Sequence, residues 1–169
     1  PWMARRRLAM PLGGTSNHFR RAALVDVGGW DAYNVTEDAD LGLRLARFGY
    51  RTGTITRPTL EDGPEELAAW LPQRVRWYKG YLQTWLVHMR DPLLTWRQLG
   101  TGSFLTMQIL FPAMLLSALI HPVFLGSVLY ALVALKQDGA AHGGAMVMAA
   151  IGLVNIVLGY GAFLAIGAR

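Results

Sequence analysis

The sequence predicts an α/β domain followed by transmembrane helices. Residues 1–100 carry 14 Arg or Lys and 10 Asp or Glu, whereas residues 101–169 carry only Lys136, Arg169 and Asp138. A soluble domain normally has about a quarter charged residues. Within the polar part, stretches with helical spacing of apolar residues alternate with β-branched stretches. We therefore predict a catalytic or binding domain at 1–100 and a membrane region at 101–169.

The formal net charge of +5 comes mostly from the polar part. A net positive charge is typical of proteins that bind nucleic acid, a phosphate-bearing substrate or the anionic face of a membrane. Because apolar segments adjoin the polar part, we favour the last two and expect no nucleic-acid partner. The chain has no cysteine, and its four histidines lack metal-ligand spacing, so the residues themselves predict no metal site.

The first part of the chain reads as a short buried strand at residues 8–12, ended by Gly13 and Gly14. Four short polar side chains follow, namely Thr15, Ser16, Asn17 and His18. Two interpretations stay open for them. They make turn hydrogen bonds to their own backbone, or they form a hydroxyl-rich surface that binds a sugar.

Three further elements surround the central acidic motif. A short helix is predicted at 19–27, before a loop that contains Trp30. A strand is predicted at 50–56, from its β-branched alternation. A helix is predicted to begin at Pro64 and to break or restart at Pro72.

The motif Thr36-Glu37-Asp38 stands at the start of a predicted helix. Thr36 is a good N-cap residue, and acids in the first turn are favoured by the helix dipole. These acids are therefore either simple helix-start residues or a functional group at the mouth of a pocket. We take Asp38 as the candidate catalytic carboxylate and expect the helix amides to lower its pKa.

Gln73, Arg76 and Trp77 share one face of the next predicted helix, because they lie at i, i+3 and i+4. An arginine fork suits a diphosphate, and an indole offers a flat surface for a sugar ring. The alternative is an aromatic, basic helix that lies on a membrane surface. Both interpretations can hold if the ligand and the membrane contact opposite faces of this helix.

Residues 103–135 are apolar and longer than one straight bilayer span, which needs about 20 residues. We expect a break at His121-Pro122, with an interfacial helix leading into one kinked span in preference to two short spans. A second span is predicted at 145–166. Gln108, His121 and Asn155 inside the apolar stretches are expected to make interhelical hydrogen bonds or, alternatively, to line a channel for a polar product.

Two motifs about 35 residues apart, Thr36-Glu37-Asp38 and Gln73-Arg74-Val75-Arg76-Trp77, precede these apolar spans. The combination resembles the TED and QxxRW pair of membrane-embedded family 2 glycosyltransferases, such as cellulose, chitin, hyaluronan and bacterial β-glucan synthases. The resemblance covers roughly residues 8–135. It implies the second half of a GT-A fold, Rossmann-like with a mixed central sheet, followed by an interfacial helix and about two membrane spans.

The resemblance also implies roles for individual residues. Asp38 would be the general base of an inverting sugar transfer, framed by Glu37 and Thr36. Trp77 would stack on the acceptor sugar, and Gln73 and Arg76 would bind the nucleotide diphosphate. The acceptor-side segments of the family are matched by residues that include Gly14, Thr15, Ser16 and Trp30.

The implied partners are a nucleotide sugar, with a UDP-sugar expected, a glycan acceptor and the lipid bilayer. The implied location is a bacterial inner membrane, crossed more than once, with a cytoplasmic catalytic part. The full-length enzyme is expected to use Mg²⁺ or Mn²⁺, whose ligands in this family precede the TED motif and are not matched in residues 1–35. The piece is therefore expected to be inactive alone. The alternatives are a non-catalytic membrane scaffold and transfer to a lipid carrier.

Overall fold

The computed structural model describes residues 2–55, 57–138 and 143–167, with side chains described for 2–55, 57–137 and 143–157. These residues form six helices and no strand. The helices are α1 (Trp2–Arg5), α2 (Arg21–Asp26), α3 (Glu37–Arg47), α4 (Leu67–His88), α5 (Pro92–Asp138) and α6 (Gly143–Gly167). The chain divides into two compact units, Pro1–Leu115 and Leu116–Arg169.

Helix α3 is the centre of the first unit, because two of its faces are buried. Leu41 and Leu45 pack in one cluster with Ala23 and Val27 at the end of α2. The other cluster is larger and includes Ala9, Ala39, Leu43, Met107 and Phe111, with Tyr81 and Trp85 packed against it. The start of α3 is therefore held rigidly between the segment before α2, helix α4 and the first part of α5.

The two predicted strands are wrong for the described residues. Residues 8–12 and 50–55 have no strand pairing, and Thr56 lies outside the described residues. A strand needs a neighbour for its backbone groups. The amide of Ala9 instead donates to the Oγ of Ser103, at 3.0 Å. The mixed sheet of a GT-A fold thus stays a prediction.

Helix boundaries also differ from those predicted. The short helix begins at Arg21, and α4 begins at Leu67 and continues through Pro72 to His88. A proline near a helix start removes only one hydrogen bond of the helix, so α4 remains continuous through Pro72. Helix α5 continues through His121-Pro122, where we predicted a break. Its one non-helical residue is Gly100, at φ 73° and ψ 162°.

Two glycines allow backbone segments to approach α3 and α4 closely. A Cβ at Gly42 would overlap the carbonyl oxygen of Met10. A Cβ at Gly80 would lie 2.5 Å from Cγ2 and 2.6 Å from Oγ1 of Thr36. Helix α4 therefore touches the residue that precedes α3, and this contact sets the distance between the two helices.

Gly80→Ala should destabilise the protein by about 1–3 kcal/mol, because the new methyl group would overlap Thr36 and force the helices apart. The measurement is the thermal unfolding midpoint of the full-length protein. Gly126→Ala is the matched control, since it lies in α5 with open space around its Cβ position. A midpoint equal to that of the control would contradict the close approach.

The second unit contains the C-terminal part of α5 and helix α6. Within this unit, a Cβ at Gly152 would lie 2.7 Å from that of Phe124, so the two helices pack closely there. Among the described residues, one helix, Pro92–Gln137, is long and apolar enough to cross a membrane. Only 11% of its most apolar 18-residue segment is buried. The second span predicted at 145–166 coincides with helix α6, Gly143–Gly167, and its crossing of a membrane stays a prediction.

Candidate active site

Asp38 lies in the first turn of α3 and is half-buried. Its Oδ1 accepts a hydrogen bond from the amide of Ala39, at 2.7 Å. A Cβ built on Gly14 would lie 3.5 Å from Oδ2 of Asp38. Gly14 therefore leaves room beside the carboxylate, whereas the neighbouring Glu37 is exposed.

The pKa of Asp38 is raised above its ordinary value of 3.8. Burial is the largest cause, and the negative charge of Glu37 acts in the same direction, while the hydrogen bond from Ala39 opposes it. The expected lowering by helix amides is thus wrong, because desolvation outweighs them. A raised pKa makes the ionised carboxylate of Asp38 a better proton acceptor.

A buried polar cluster fixes the segment that leads into α3. Asn34 donates from Nδ2 to Oγ1 of Thr84 at 2.8 Å, and its Oδ1 accepts from the amide of Thr36 at 3.1 Å. The Oγ1 of Thr36 lies 3.4 Å from that of Thr84 and does not cap the helix. The predicted capping role of Thr36 is wrong, because its hydroxyl faces α4 instead.

Asp40 is buried and belongs to a second network that the sequence did not predict. Its Oδ2 accepts from Nε of Arg44 at 2.6 Å, and its Oδ1 lies 3.0 Å from Nε2 of His88. Nδ1 of His88 lies 2.9 Å from NH1 of Arg47. Arginine only donates, so Nδ1 accepts and Nε2–H donates to Asp40. His88 is therefore the neutral Nε2–H tautomer.

This network holds the C-terminal end of α4 on α3. Burial of Asp40 opposes its ionisation, but the hydrogen bonds from His88 and Arg44 outweigh burial and lower the pKa of Asp40. The spacing of Asp40 and Arg44 at i and i+4 was a sequence signal for this pair. His88 carried no such signal, because its partner is 48 residues away.

The predicted ligand face of α4 is present as a continuous helical surface. Gln73 is half-buried, and Arg76 and Trp77 are exposed. The guanidinium carbon of Arg74 lies 5.0 Å from the ring centre of Trp70 and 4.5 Å from that of Trp77. Cation–π contacts of this length orient both indoles, so the ring plane of Trp77 is fixed by a residue for which the sequence predicted no site role.

Tyr81 connects this face to the candidate carboxylate. It lies one turn after Trp77 and packs edge-on against Phe111, with ring centres 5.2 Å apart. The pKa of Tyr81 is raised, first by burial and then by the charge of Asp38. No hydrogen bond joins Asp38 to Gln73, Arg76 or Trp77, all of which are described.

The residues after Gly14 contact a later loop. Thr15 donates to Glu61, and the Oγ of Ser16 accepts from Thr59 at 2.8 Å. Ser16 also lines a cleft of about 960 Å³ that Asp38 does not line. The turn interpretation accounts for part of this segment, because Asn17 donates to the carbonyl of Gly13.

Trp30 was predicted on the acceptor side. It packs edge-on against Phe19, with ring centres 5.6 Å apart, and is 50% exposed. This contact places Trp30 beside the start of α2. Its acceptor role stays a prediction.

The described residues do not fit a divalent metal ion. They contain no group of three or more His, Cys, Asp or Glu side chains that could hold one. Asp38 and Asp40 spell a D-x-D pattern, but Asp40 is already bonded to His88 and Arg44.

Comparison with known proteins gives several relatives. Over 106 residues, the chain is 35% identical to a β-monoglucosyldiacylglycerol synthase of Synechocystis, which covers 60% of this chain and 22% of the relative. It is 34% identical over 109 residues to the UDP-forming cellulose synthase catalytic subunit of Xanthomonas axonopodis pv. citri, covering 64% and 13%. It is 35% identical over 82 residues to cellulose synthase 2 of Novacetimonas hansenii, covering 48% and 5%.

The chain thus spans about a fifth or less of the length of these curated relatives. No solved structure gives a significant match. The family model described as glycosyl transferase family group 2 matches residues 2–164, which is nearly the whole chain. The chain therefore belongs to glycosyl transferase family group 2, and its relatives include the cellulose synthases.

Proposed function

We propose that the full-length protein is an inverting glycosyltransferase. It transfers a sugar from a nucleoside diphosphate sugar to a hydroxyl group of a glycan at the membrane, as in polysaccharide synthesis. The observation that carries this proposal is the half-buried carboxylate of Asp38, which has a raised pKa, lies next to Gly14 and belongs to a helix packed against α4, the helix that bears Trp77. A carboxylate that is only a helix-start residue would need none of these features.

In the proposed step, Asp38 accepts the proton of the acceptor hydroxyl. The oxygen attacks the anomeric carbon of the donor while the bond from that carbon to the diphosphate oxygen breaks. The nucleoside diphosphate leaves with the bonding electron pair, and the anomeric configuration is inverted. Asp38 must lie within about 3 Å of the acceptor oxygen for this transfer.

The other predicted residues support this step. Arg76 and Gln73 bind the diphosphate, and Arg76 stabilises the charge that develops on the leaving group. Trp77, oriented by Arg74, stacks on the acceptor sugar. Thr36 and Glu37 frame the base as its neighbours in the chain, and the segment Gly14, Thr15 and Ser16 is proposed on the acceptor side with Trp30. UDP-sugar is the proposed donor, because two of the relatives are cellulose synthases, one of them named as UDP-forming.

A lipid acceptor is the second candidate. One relative is named as a synthase of a glucosyldiacylglycerol, and it is matched over 60% of this chain. The helix Pro92–Gln137 is apolar enough to place the site at a membrane. We propose that this membrane is a bacterial inner membrane and that the catalytic part is cytoplasmic, with more than one crossing.

One experiment separates the enzyme from a membrane scaffold that has no activity. Trp77→Ala and Arg76→Ala are made in the full-length protein, with Trp70→Ala as the matched control on the same helix. Nucleotide release from UDP-sugars and flotation with lipid vesicles are measured side by side. We expect release to fall at least about tenfold for the two site variants, given the value of a stacked aromatic contact or a charge-assisted hydrogen bond, and flotation to stay unchanged.

The opposite pattern, with flotation lost and release unaltered, would refute the catalytic proposal. The labelled product of the wild-type protein then decides the acceptor. A long polymer on a gel supports polysaccharide synthesis, whereas label that extracts into chloroform identifies the lipid acceptor.

A further inference from the structure

A cavity outside the candidate active site is lined by two arginines and lies near the start of the apolar part of α5. Its volume is about 390 Å³, which is at the lower end of the range for small-ligand sites. Its lining includes Ala4, Arg7, Arg51, Thr52, Leu99 and Ser103, and no acidic residue. We call it the basic cavity.

Neither arginine of the basic cavity is paired with a carboxylate among the described side chains. Within residues 2–55, 57–137 and 143–157, no acidic side chain forms an ion pair with Arg7 or Arg51. A guanidinium group binds phosphate oxygens through two parallel hydrogen bonds. Two arginines, with the hydroxyls of Thr52 and Ser103 nearby, therefore favour a phosphate-bearing anion.

The basic cavity lies where the apolar part of α5 begins. A Cβ at Gly102 would lie 3.3 Å from Cδ2 of Leu8, and the amide of Ala9 bonds to Ser103. The residue after Ser103 starts an uncharged stretch that continues to Leu135. If this helix crosses a bilayer, then the cavity lies at the depth of the lipid headgroups.

We propose that the basic cavity binds the phosphate headgroup of an anionic phospholipid. This site is separate from the sugar-transfer site and goes beyond the proposed function. A lipid is preferred to free phosphate because Leu110, two turns after Ser103 on the same face of α5, is 38% exposed. An acyl chain attached to a bound headgroup would cover this side chain.

The test uses the full-length protein in a neutral detergent. It is titrated with a short-chain phosphatidylglycerol and with a phosphatidylcholine of equal chain length, and bound lipid is counted by native mass spectrometry. We expect the anionic lipid to bind about tenfold more tightly, from the attraction of two basic residues. Arg7→Gln combined with Arg51→Gln should abolish this preference.

The matched control is Arg6→Gln combined with Arg21→Gln, which removes the same charge from exposed positions outside the basic cavity. It should retain the preference within about twofold. Ala4→Phe tests the cavity without a change of charge, because the ring would occupy it, and should also lose the preference. This variant keeps the test decisive if the arginine variant fails to fold.

Three results would overturn the proposal. One is an equal loss in the control pair, which would indicate unspecific attraction to the charged surface. Another is an unchanged preference in the arginine pair or in Ala4→Phe. The third is inorganic phosphate that binds as tightly as phosphatidylglycerol, which would make the site one for a free anion.

Discussion

Asp38→Asn should reduce sugar transfer by the full-length protein about 10²- to 10⁴-fold, the usual contribution of a general base. The amide keeps the shape of the side chain but accepts no proton. Binding of the nucleotide sugar should be nearly unchanged, because Arg76 and Gln73 are proposed to hold the diphosphate. Turnover and donor affinity, measured separately, check this prediction.

Glu37→Gln is the matched control, because this exposed acid stands next to Asp38. It should change turnover by no more than a few-fold. It should also lower the pKa of Asp38 slightly, since the charge of Glu37 is one cause of its elevation. Full turnover by Asp38→Asn would remove the proposed base.

The pH dependence of the wild-type enzyme should follow the same carboxylate. A base works only when ionised, so kcat/KM should fall as the pH drops through the pKa of Asp38. Because burial raises this pKa, the fall should begin above the ordinary value of 3.8. The residual activity of Asp38→Asn should lack this acid limb.

Asp40→Ala should reduce the free energy of unfolding by about 2 kcal/mol. It should affect sugar transfer only by lowering the fraction of folded protein. Removing the carboxylate leaves a buried N–H of His88 and the guanidinium of Arg44 without their partner. We place the loss below that of a fully buried pair, because the side chain of Arg44 is 21% exposed. Chemical unfolding of the full-length protein measures it.

The stability contribution of Asp40 should also depend on pH. Its folded-state pKa is lowered, so the contribution is complete above the unfolded value, near 3.8, and is lost as the pH falls through the folded value. The difference between wild type and Asp40→Ala should therefore shrink below about pH 3.8. Asp40→Asn should be milder, since its amide oxygen still accepts from His88.

The contrast between these two neighbouring acids is the sharpest result expected. Asp38→Asn should lose activity and keep stability, because folding raises the pKa of Asp38 and its ionised form gains nothing from burial. Asp40→Asn should instead lose stability and keep the activity of the folded protein. If both variants lost stability alike, the helix-start interpretation of Asp38 would be favoured.

Local patterns in the sequence predicted the helices well. The spacing of Leu41, Leu45 and Phe48 predicts one apolar face of α3, of which Leu41 and Leu45 are buried and Phe48 is 55% exposed. The long apolar stretch after Ser103 forms a helix, and Gln108 makes its predicted interhelical bond by accepting from Nε1 of Trp85 at 2.9 Å. These features depend on residues three to four positions apart or on length alone, so the sequence is sufficient to specify them.

Strands and breaks in helices were predicted poorly. The β-branched run after Tyr50 has strand propensity, but propensity alone cannot supply the neighbouring backbone groups that a strand requires. Pro72 remains inside α4, and the backbone departs from helix at Gly100 in place of His121-Pro122. A local preference was therefore not sufficient to predict the backbone at these positions.

By itself, the sequence determined the acidic motif, the Gln73–Trp77 face and the membrane-like helix, because each is a pattern of residues close together along the chain. Only the tertiary structure decided how these parts are used. It buried Asp38 enough to raise its pKa, engaged Asp40 with His88, and brought Gly80 against Thr36. Desolvation and contacts over 40 or more residues produce these effects, and neither is encoded in local spacing.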